Sequence, residues 1–281
     1  MTEAVHLDLD GAWPDDVLGL DRCDLHEWGP RLRYVARSRD VEAFWSEVRG
    51  RLRPFSLSGS GDFHHLTALL LRQMTQPLTV INFDNHPDWD MRPPRWSCGG
   101  WSKRALELPH VRRISVWGCG SFEPALPARL FADHRGLRSG RLEIHPWEET
   151  QRKSARRRFE CMSRSDWRSR FAGFAETLAG GDVYVTVDLD CLRASEAPTN
   201  WESGLFTAAD LAWAIGQLRA KARVVGGDIC GAFSPPRYAR WSQRLAGWWD
   251  HPELPEVSVE VARAANRAAL SRIWPVLVGA E

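Results

Sequence analysis

Short apolar runs rich in Val, Ile and Leu alternate along the chain with amphipathic stretches of helix length. The runs Val5–Leu9, Phe55–Ser58, Leu78–Phe83, Arg113–Trp117, Arg141–His145, Val183–Val187 and Arg223–Gly227 predict strands. The stretches near 40–51, 64–75, 100–107, 124–134, 164–179, 207–220 and 257–270 predict helices between and after them. The strand runs carry little polar alternation, as expected when helices cover both faces of a sheet. Strand–helix repetition of this kind predicts the α/β class: a three-layer α/β/α sandwich around a mostly parallel sheet. No Pro/Gly/Ser-rich linker or internal repeat divides the chain, so a single domain is expected over residues 1–281.

Composition narrows the function classes. With 37 basic and 36 acidic side chains the net charge is +1, which argues against a general nucleic-acid binder. Apolar residues at 43% and charged residues at 26% suit a folded chain rather than a disordered one. No apolar run approaches the roughly 18 residues of a membrane span. The opening MTEAVHLDLD has acids where a secretory signal would be basic, so a cytoplasmic location is expected. There are 15 Trp against 3 Tyr, and lysine occurs only at 103, 153 and 221. G- and C-rich codon usage accounts for both, and an indole- and guanidinium-rich pocket is the alternative. The basic block 152–170 reads as a solvated helix face or, alternatively, as a phosphate- or partner-binding patch. Six cysteines show neither a CxxC pair nor a small-domain spacing, which weakens zinc-finger and disulfide readings. Four of them (98, 119, 191, 230) follow predicted strands, either as small buried residues or as thiols acting as nucleophile, soft ligand or redox switch.

The chemistry concentrates in three segments. Leu78-Thr-Val-Ile-Asn-Phe-Asp-Asn-His-Pro-Asp-Trp-Asp90 places Asp84, His86, Asp88 and Asp90 directly after a buried strand. In extended chain alternate residues point the same way, so D-x-H-x-D aims three donors at one spot beyond a strand's carboxyl end. Carboxylates crowded there repel one another by several kcal/mol unless a cation intervenes. Asp182-Val-Tyr-Val-Thr-Val-Asp-Leu-Asp190 repeats the logic with Asp188 and Asp190. Ser58-Gly-Ser-Gly-Asp-Phe-His-His-Leu-Thr67 leads a third strand into a helix start bearing His64 and His65. This strand is expected to lie beside the Asp84 strand in a βαβ unit. Carboxylates mixed with imidazole suit a pair of borderline-hard ions such as Mn²⁺ better than Zn²⁺ or Mg²⁺.

The order of these segments resembles the arginase/agmatinase (ureohydrolase) superfamily. Gly-Ser-Gly-Asp-Phe-His-His at 59–65 is similar to the family's G-G-D-H-S, and Asp84-Asn-His86-Pro-Asp88 matches D-A-H-x-D. Thr186-Val-Asp188-Leu-Asp190 matches the start of S-F-D-x-D-x-x-D-P, with Arg193 and Ala194 in the D-P places. The likeness covers residues 55–235. It implies an arginase-like fold and two Mn²⁺ ions held by His64 or His65 with Asp84, His86, Asp88, Asp188 and Asp190. A hydroxide bridging such ions attacks an amidino-type carbon in that family. Asp88 is also the candidate catalytic carboxylate.

Two departures concern the substrate. The family carries a proton-shuttling histidine 13 residues beyond the last Asp of D-x-H-x-D, where this chain has Trp101. The family's D-x-x-E-V-N-P glutamate, which holds a guanidinium, corresponds to Gly231 in Asp228-Ile-Cys-Gly-Ala-Phe-Ser-Pro235. Asp90, Trp101, Asp228 and Cys230 are therefore the candidate substrate-side residues. Trp101 is expected as a flat wall at the mouth of the site, or else as a core residue if its loop takes another path. A pocket without a carboxylate partner is expected unless Asp228 or Asp90 swings in. The expectation is a metal-dependent hydrolase of a non-peptide C–N bond in a small molecule other than arginine. A catalytically inactive metal-binding protein and a deacetylase-like amide hydrolase are the alternatives. Self-association into a homo-oligomer stays open.

Overall fold

A computed structural model describes residues 3–252 and 257–280. The strands are β1 (Ala4–Asp8), β2 (Asp21–Asp24), β3 (Val35–Ala36), β4 (Phe55–Leu57), β5 (Leu78–Phe83), β6 (Trp96–Ser97), β7 (Val111–Trp117), β8 (Leu142–His145), β9 (Asp182–Asp188) and β10 (Arg223–Cys230). Eight of them form one sheet in the order β2-β1-β4-β10-β9-β5-β7-β8, while β3 and β6 pair separately as a two-residue antiparallel ladder. Every pairing within the large sheet is parallel, so all its carboxyl ends open on one edge.

Successive residues of the central strands feed opposite faces. Ile81, Phe83, Val183, Val185 and Val187 join a core closed by the helices Trp167–Glu176, Ala208–Lys221 and Val259–Val278. Leu78, Val80 and Tyr184 face the other core, closed by the helices Ser38–Val48, Thr67–Leu70 and Trp101–Leu106. The result is the expected α/β/α sandwich. Helix Ala208–Lys221 starts in a capping box, with the Thr207 hydroxyl accepting from Asp210 N–H and the Asp210 carboxylate accepting from Thr207 N–H.

Several elements differ from expectation. The edge strand β2 has the polar sequence DRCD, which carries no apolar run. The stretch 124–134 is not one helix, because Pro124 and Pro127 confine it to a 3-10 turn at Ala128–Phe131 before the helix His134–Arg138. The helix Trp241–Asp250 was not anticipated, since its Trp241, Trp248 and Trp249 face solvent rather than a core. Strand β4 does not neighbour β5, because β10 and β9 lie between them. The basic block holds the short helix Lys153–Arg156 and the first turn of the helix Trp167–Glu176, and Arg164, Arg168 and Arg170 are engaged by Asp210, Asp166 and Glu160.

Phe171 anchors the first core. Its ring is fully buried and lies 4.8 Å from Trp117 and 5.5 Å from Phe83. Phe171→Ala should cost about 3–5 kcal/mol in denaturant unfolding. A loss below about 1 kcal/mol would show that the surrounding aromatics repack freely.

Candidate metal centre

The site grows from the ends of β4, β10, β9 and β5, the four central strands. Past β4 the chain enters a 3-10 helix, Gly61–Leu66, begun by Ser60, whose hydroxyl accepts from Asp62 N–H. His64 lies on it. Asp84, His86 and Asp88 follow β5, and Asp88 takes a left-handed backbone conformation with φ +47, which Asp tolerates better than most residues. Asp188 closes β9, and Asp190 sits in the following turn with its N–H donating to Asp188 Oδ1.

Six side chains converge. His64 Nδ1 lies 3.2 Å from Asp84 Oδ2, 3.0 Å from Asp88 Oδ2 and 3.6 Å from Asp188 Oδ2. His86 Nδ1 lies 2.8 Å from Asp190 Oδ2 and 3.7 Å from Asp84 Oδ1. Both imidazoles are held from behind through Nε2. That of His64 is 3.0 Å from Thr186 Oγ1, and that of His86 is 3.3 Å from Glu202 Oε2. Thr186 in turn donates to Asp228 Oδ1, so it accepts the His64 Nε2 proton and keeps Nδ1 turned toward the carboxylates. Such outer partners fix tautomer and ring orientation in metal sites.

Burial opposes the charge on every group here. It pushes the Asp88 carboxyl up to about 8, with the Asp84 charge adding to the effect. Asp188 and Asp190 are raised for the same two reasons, burial first and neighbouring carboxylates second. Burial also opposes the charge of Asp84, yet hydrogen bonds from His64 and His86 hold its carboxyl well below the usual range. The donors form overlapping triads, His64–Asp84–Asp88 and Asp84–His86–Asp190, each with its ligand atoms within 4.8 Å of one another. Burial opposes the charge of His64 and His86, yet the carboxylates around them raise both imidazoles above their ordinary value, so protons answer the crowding here. With those protons displaced, two neutral imidazoles and four carboxylates would be balanced by a pair of divalent cations. The donor set fits such a pair.

The structure separates the remaining candidates. His65 is buried, belongs to neither triad, and has no partner for either ring nitrogen; burial pushes it down to about 4. Trp101 does not form a wall at the mouth. It is fully buried, and its indole N–H donates to Asp88 Oδ2 at 2.6 Å while its ring sits 4.9 Å from that of His64. The helix Trp101–Leu106 packs inward there, so the loop after Asp88 buries the ring behind the donors. Asp228 does not reach substrate space either, since it accepts from Thr67, Tyr184 and Thr186 beneath His64. Cys230 is buried against Asp188, its Sγ 3.4 Å from Oδ2. Asp90 does line the cavity, where Arg92 grips both its oxygens.

That cavity, of about 290 Å³, opens over Asp84, His86, Asp88, Asp188 and Asp190. Its walls include Arg152, from the basic block, and residues that sequence reasoning missed: Tyr34, Phe122, Glu123, Trp201, Glu202 and Asp250. The expectation of a pocket without a carboxylate partner is thereby corrected, because Glu123 and Asp250 both reach it. They come from loops and from an unanticipated helix end, where no motif marks them. The carboxylate of Asp62 positions one wall. Fully buried, it accepts from Arg33 Nε at 2.7 Å, His251 Nε2 at 2.8 Å and Trp201 Nε1 at 3.2 Å. Position 231 leaves no room for the glutamate of the family pattern. Gly231 has φ +98, and a Cβ there would stand 2.2 Å from Asp188 Oδ1.

The arginase family model matches residues 61–246. The chain is 26% identical over 178 residues, 63% of its length, to an uncharacterized protein of Thermotoga maritima, and the match spans 57% of that relative. Among solved structures it resembles proclavaminate amidino hydrolase from Streptomyces clavuligerus, at 14% identity and a TM-score of 0.58, covering 99% of this chain and 92% of that one. Arginase from Bacillus subtilis aligns at 13% identity and a TM-score of 0.55, covering 99% and 98%. These likenesses establish the fold.

Trp101→Phe keeps the ring and removes the donor to Asp88. It should weaken metal binding about 10–100-fold in a titration with little change in melting temperature. Unchanged affinity would mean that Asp88 needs no such support. Asp62→Asn should cost about 3 kcal/mol, because it leaves the buried Arg33 with only its longer pair to Asp10, at 3.5 Å. Burial opposes the Asp62 charge, but Arg33 and His251 hold its carboxyl well below the ordinary value. A depressed carboxyl stabilises above its unfolded pKa of about 3.9, so the wild-type advantage should be full at neutral pH and shrink below about pH 4. An advantage that grows on acidification would contradict the pairing.

Proposed function

Because this chain belongs to the arginase family, we propose that it is a metal-dependent hydrolase cleaving a C–N bond of a small substrate other than arginine. His64, Asp84, Asp88 and Asp188 would hold one divalent ion, and Asp84, His86, Asp188 and Asp190 a second, with Mn²⁺ suited to this mixture of carboxylate and imidazole. The convergence of five donors in two triads that share Asp84, with Asp188 3.6 Å from His64 Nδ1 beside them, is the observation that carries the reading. The sharing of Asp84 between triads favours two ions over the single ion of the deacetylase-like alternative. A pair of bound divalent ions supplies Lewis acidity, making a water more acidic and stabilising negative charge on the attacked group.

The chain's own residues do the rest. Thr186 and Glu202 keep both Nδ1 atoms turned inward. Trp101 fixes Asp88. Glu123 and Asp250 offer negative charge to a cationic part of the substrate, while Phe122 and Trp201 offer apolar surface. Position 231 cannot bear the family's guanidinium-holding glutamate, which supports a substrate other than arginine or agmatine.

Elemental analysis after reconstitution with excess Mn²⁺ should find about two ions per chain, and Asp188→Asn or His86→Ala should each lose at least one. Metal-free protein after reconstitution would end this reading. Urea release from arginine or agmatine should stay well below the order of 1 s⁻¹ typical of enzymes on their own substrates, and release at that rate would overturn the substrate assignment.

A further inference from the structure

Cys230 closes β10 and is the register partner of Asp188 across the sheet. Its side chain is buried, with Sγ 3.4 Å from Asp188 Oδ2. That sulfur, a ring nitrogen of His64 and a carboxylate oxygen of Asp188 all lie within 4.8 Å of one another, the same closeness that unites His64 with Asp84 and Asp88. Among the described residues no other cysteine enters such a group, although Cys98, Cys119 and Cys191 are also buried at this end of the sheet.

The backbone explains why the thiol arrives there. A Cβ on Gly231 would stand 2.3 Å from Leu189 N, and one on Gly61 would stand 2.5 Å from Asp188 Oδ2. Two bare glycines thus let the chain close around Asp188 from both sides, and the side chain of Cys230 comes to lie against that carboxylate. The position that cannot hold a glutamate is adjacent to one that supplies a thiol.

We propose that Cys230 is a ligand of the metal centre, adding a sulfur donor to the His64–Asp188 side. The centre is then chemically uneven. The Asp84–His86–Asp190 side offers only oxygen and imidazole and suits Mn²⁺, whereas the sulfur-bearing side prefers a thiophilic divalent ion such as Zn²⁺ or Co²⁺. On ligation the Sγ proton leaves to solvent, and a metal–sulfur bond replaces the hydrogen bond to Asp188 Oδ2. This inference rests on the metal-centre reading above and turns its uniform manganese pair into a mixed one.

Spectroscopy tests it without any substrate. Protein loaded with Co²⁺ should show a sulfur-to-cobalt charge-transfer band in the near ultraviolet beside its visible d–d bands. Cys230→Ser should lose the first and keep the second, while Cys98→Ser should keep both. In competition titrations Cys230→Ser should weaken Zn²⁺ binding at least about tenfold and Mn²⁺ binding less than about threefold. If Cys230→Ser does not fold, X-ray absorption of the zinc-loaded wild type decides alone, with a sulfur scatterer expected at about 2.3 Å. Cobalt d–d bands without the charge-transfer band, a band that survives in Cys230→Ser, or a zinc shell without sulfur would overturn the ligand assignment and leave the metal centre standing. Protein that takes up no ion at all would overturn both.

Discussion

Asp84, Asp88, Asp188 and Asp190 lie together, buried, around two imidazoles at one end of the sheet. Like charges at such separations and low effective dielectric repel by several kcal/mol. Everything nearby answers that constraint. Parallel strands bring the four carboxylates to one edge, and backbone N–H groups of His86, Asn85 and Asp190 cap oxygens of Asp84, Asp190 and Asp188. Thr186, Glu202 and Trp101 fix the angles at which the donors meet. These contacts hold the carboxylates in place without adding positive charge, which the proposed pair of cations would supply.

The same edge also shapes the substrate side. Asp62 sits on the His64 helix and accepts from Arg33, His251 and Trp201, so the segment that delivers a donor also braces a cavity wall. Asp250 ends the helix that carries His251 toward this wall, and Tyr34 donates to it at 2.6 Å. Metal donors and cavity wall are therefore mechanically coupled through one buried carboxylate. Meanwhile Gly231 presses its backbone against Asp188, which excludes the acid that the family places there. This chain gathers its pocket carboxylates from other segments.

The strands were legible because buried parallel strands are continuous apolar runs, and Leu78–Phe83 falls where the run indicated. The clustering of Asp84, His86, Asp88, Asp188 and Asp190 was legible because all five close or directly follow buried parallel strands, although Asp88 reaches the spot in a left-handed conformation and Asp190 through a 3-10 turn rather than by extended alternation. The polar edge strand β2 and the solvent-facing helix Trp241–Asp250 lack the periodicity that marks burial. Spacing alone could not choose between His64 and His65, since adjacent residues on a 3-10 turn diverge by about a third of a turn. Nor could it show that Trp101 and Asp228 stand behind the donors, because their roles depend on hydrogen bonds between distant segments. Glu123, Trp201 and Glu202 are brought to the cavity by tertiary structure only.

Anomalous diffraction from crystals grown with Mn²⁺ tests the central claim most directly. The account predicts two peaks at the carboxyl edge of the sheet, both bordered by Asp84 and Asp188, one facing His64 Nδ1 and Asp88 and the other facing His86 Nδ1 and Asp190. A single peak, peaks away from these side chains, or no anomalous signal with the six donors still clustered would contradict it.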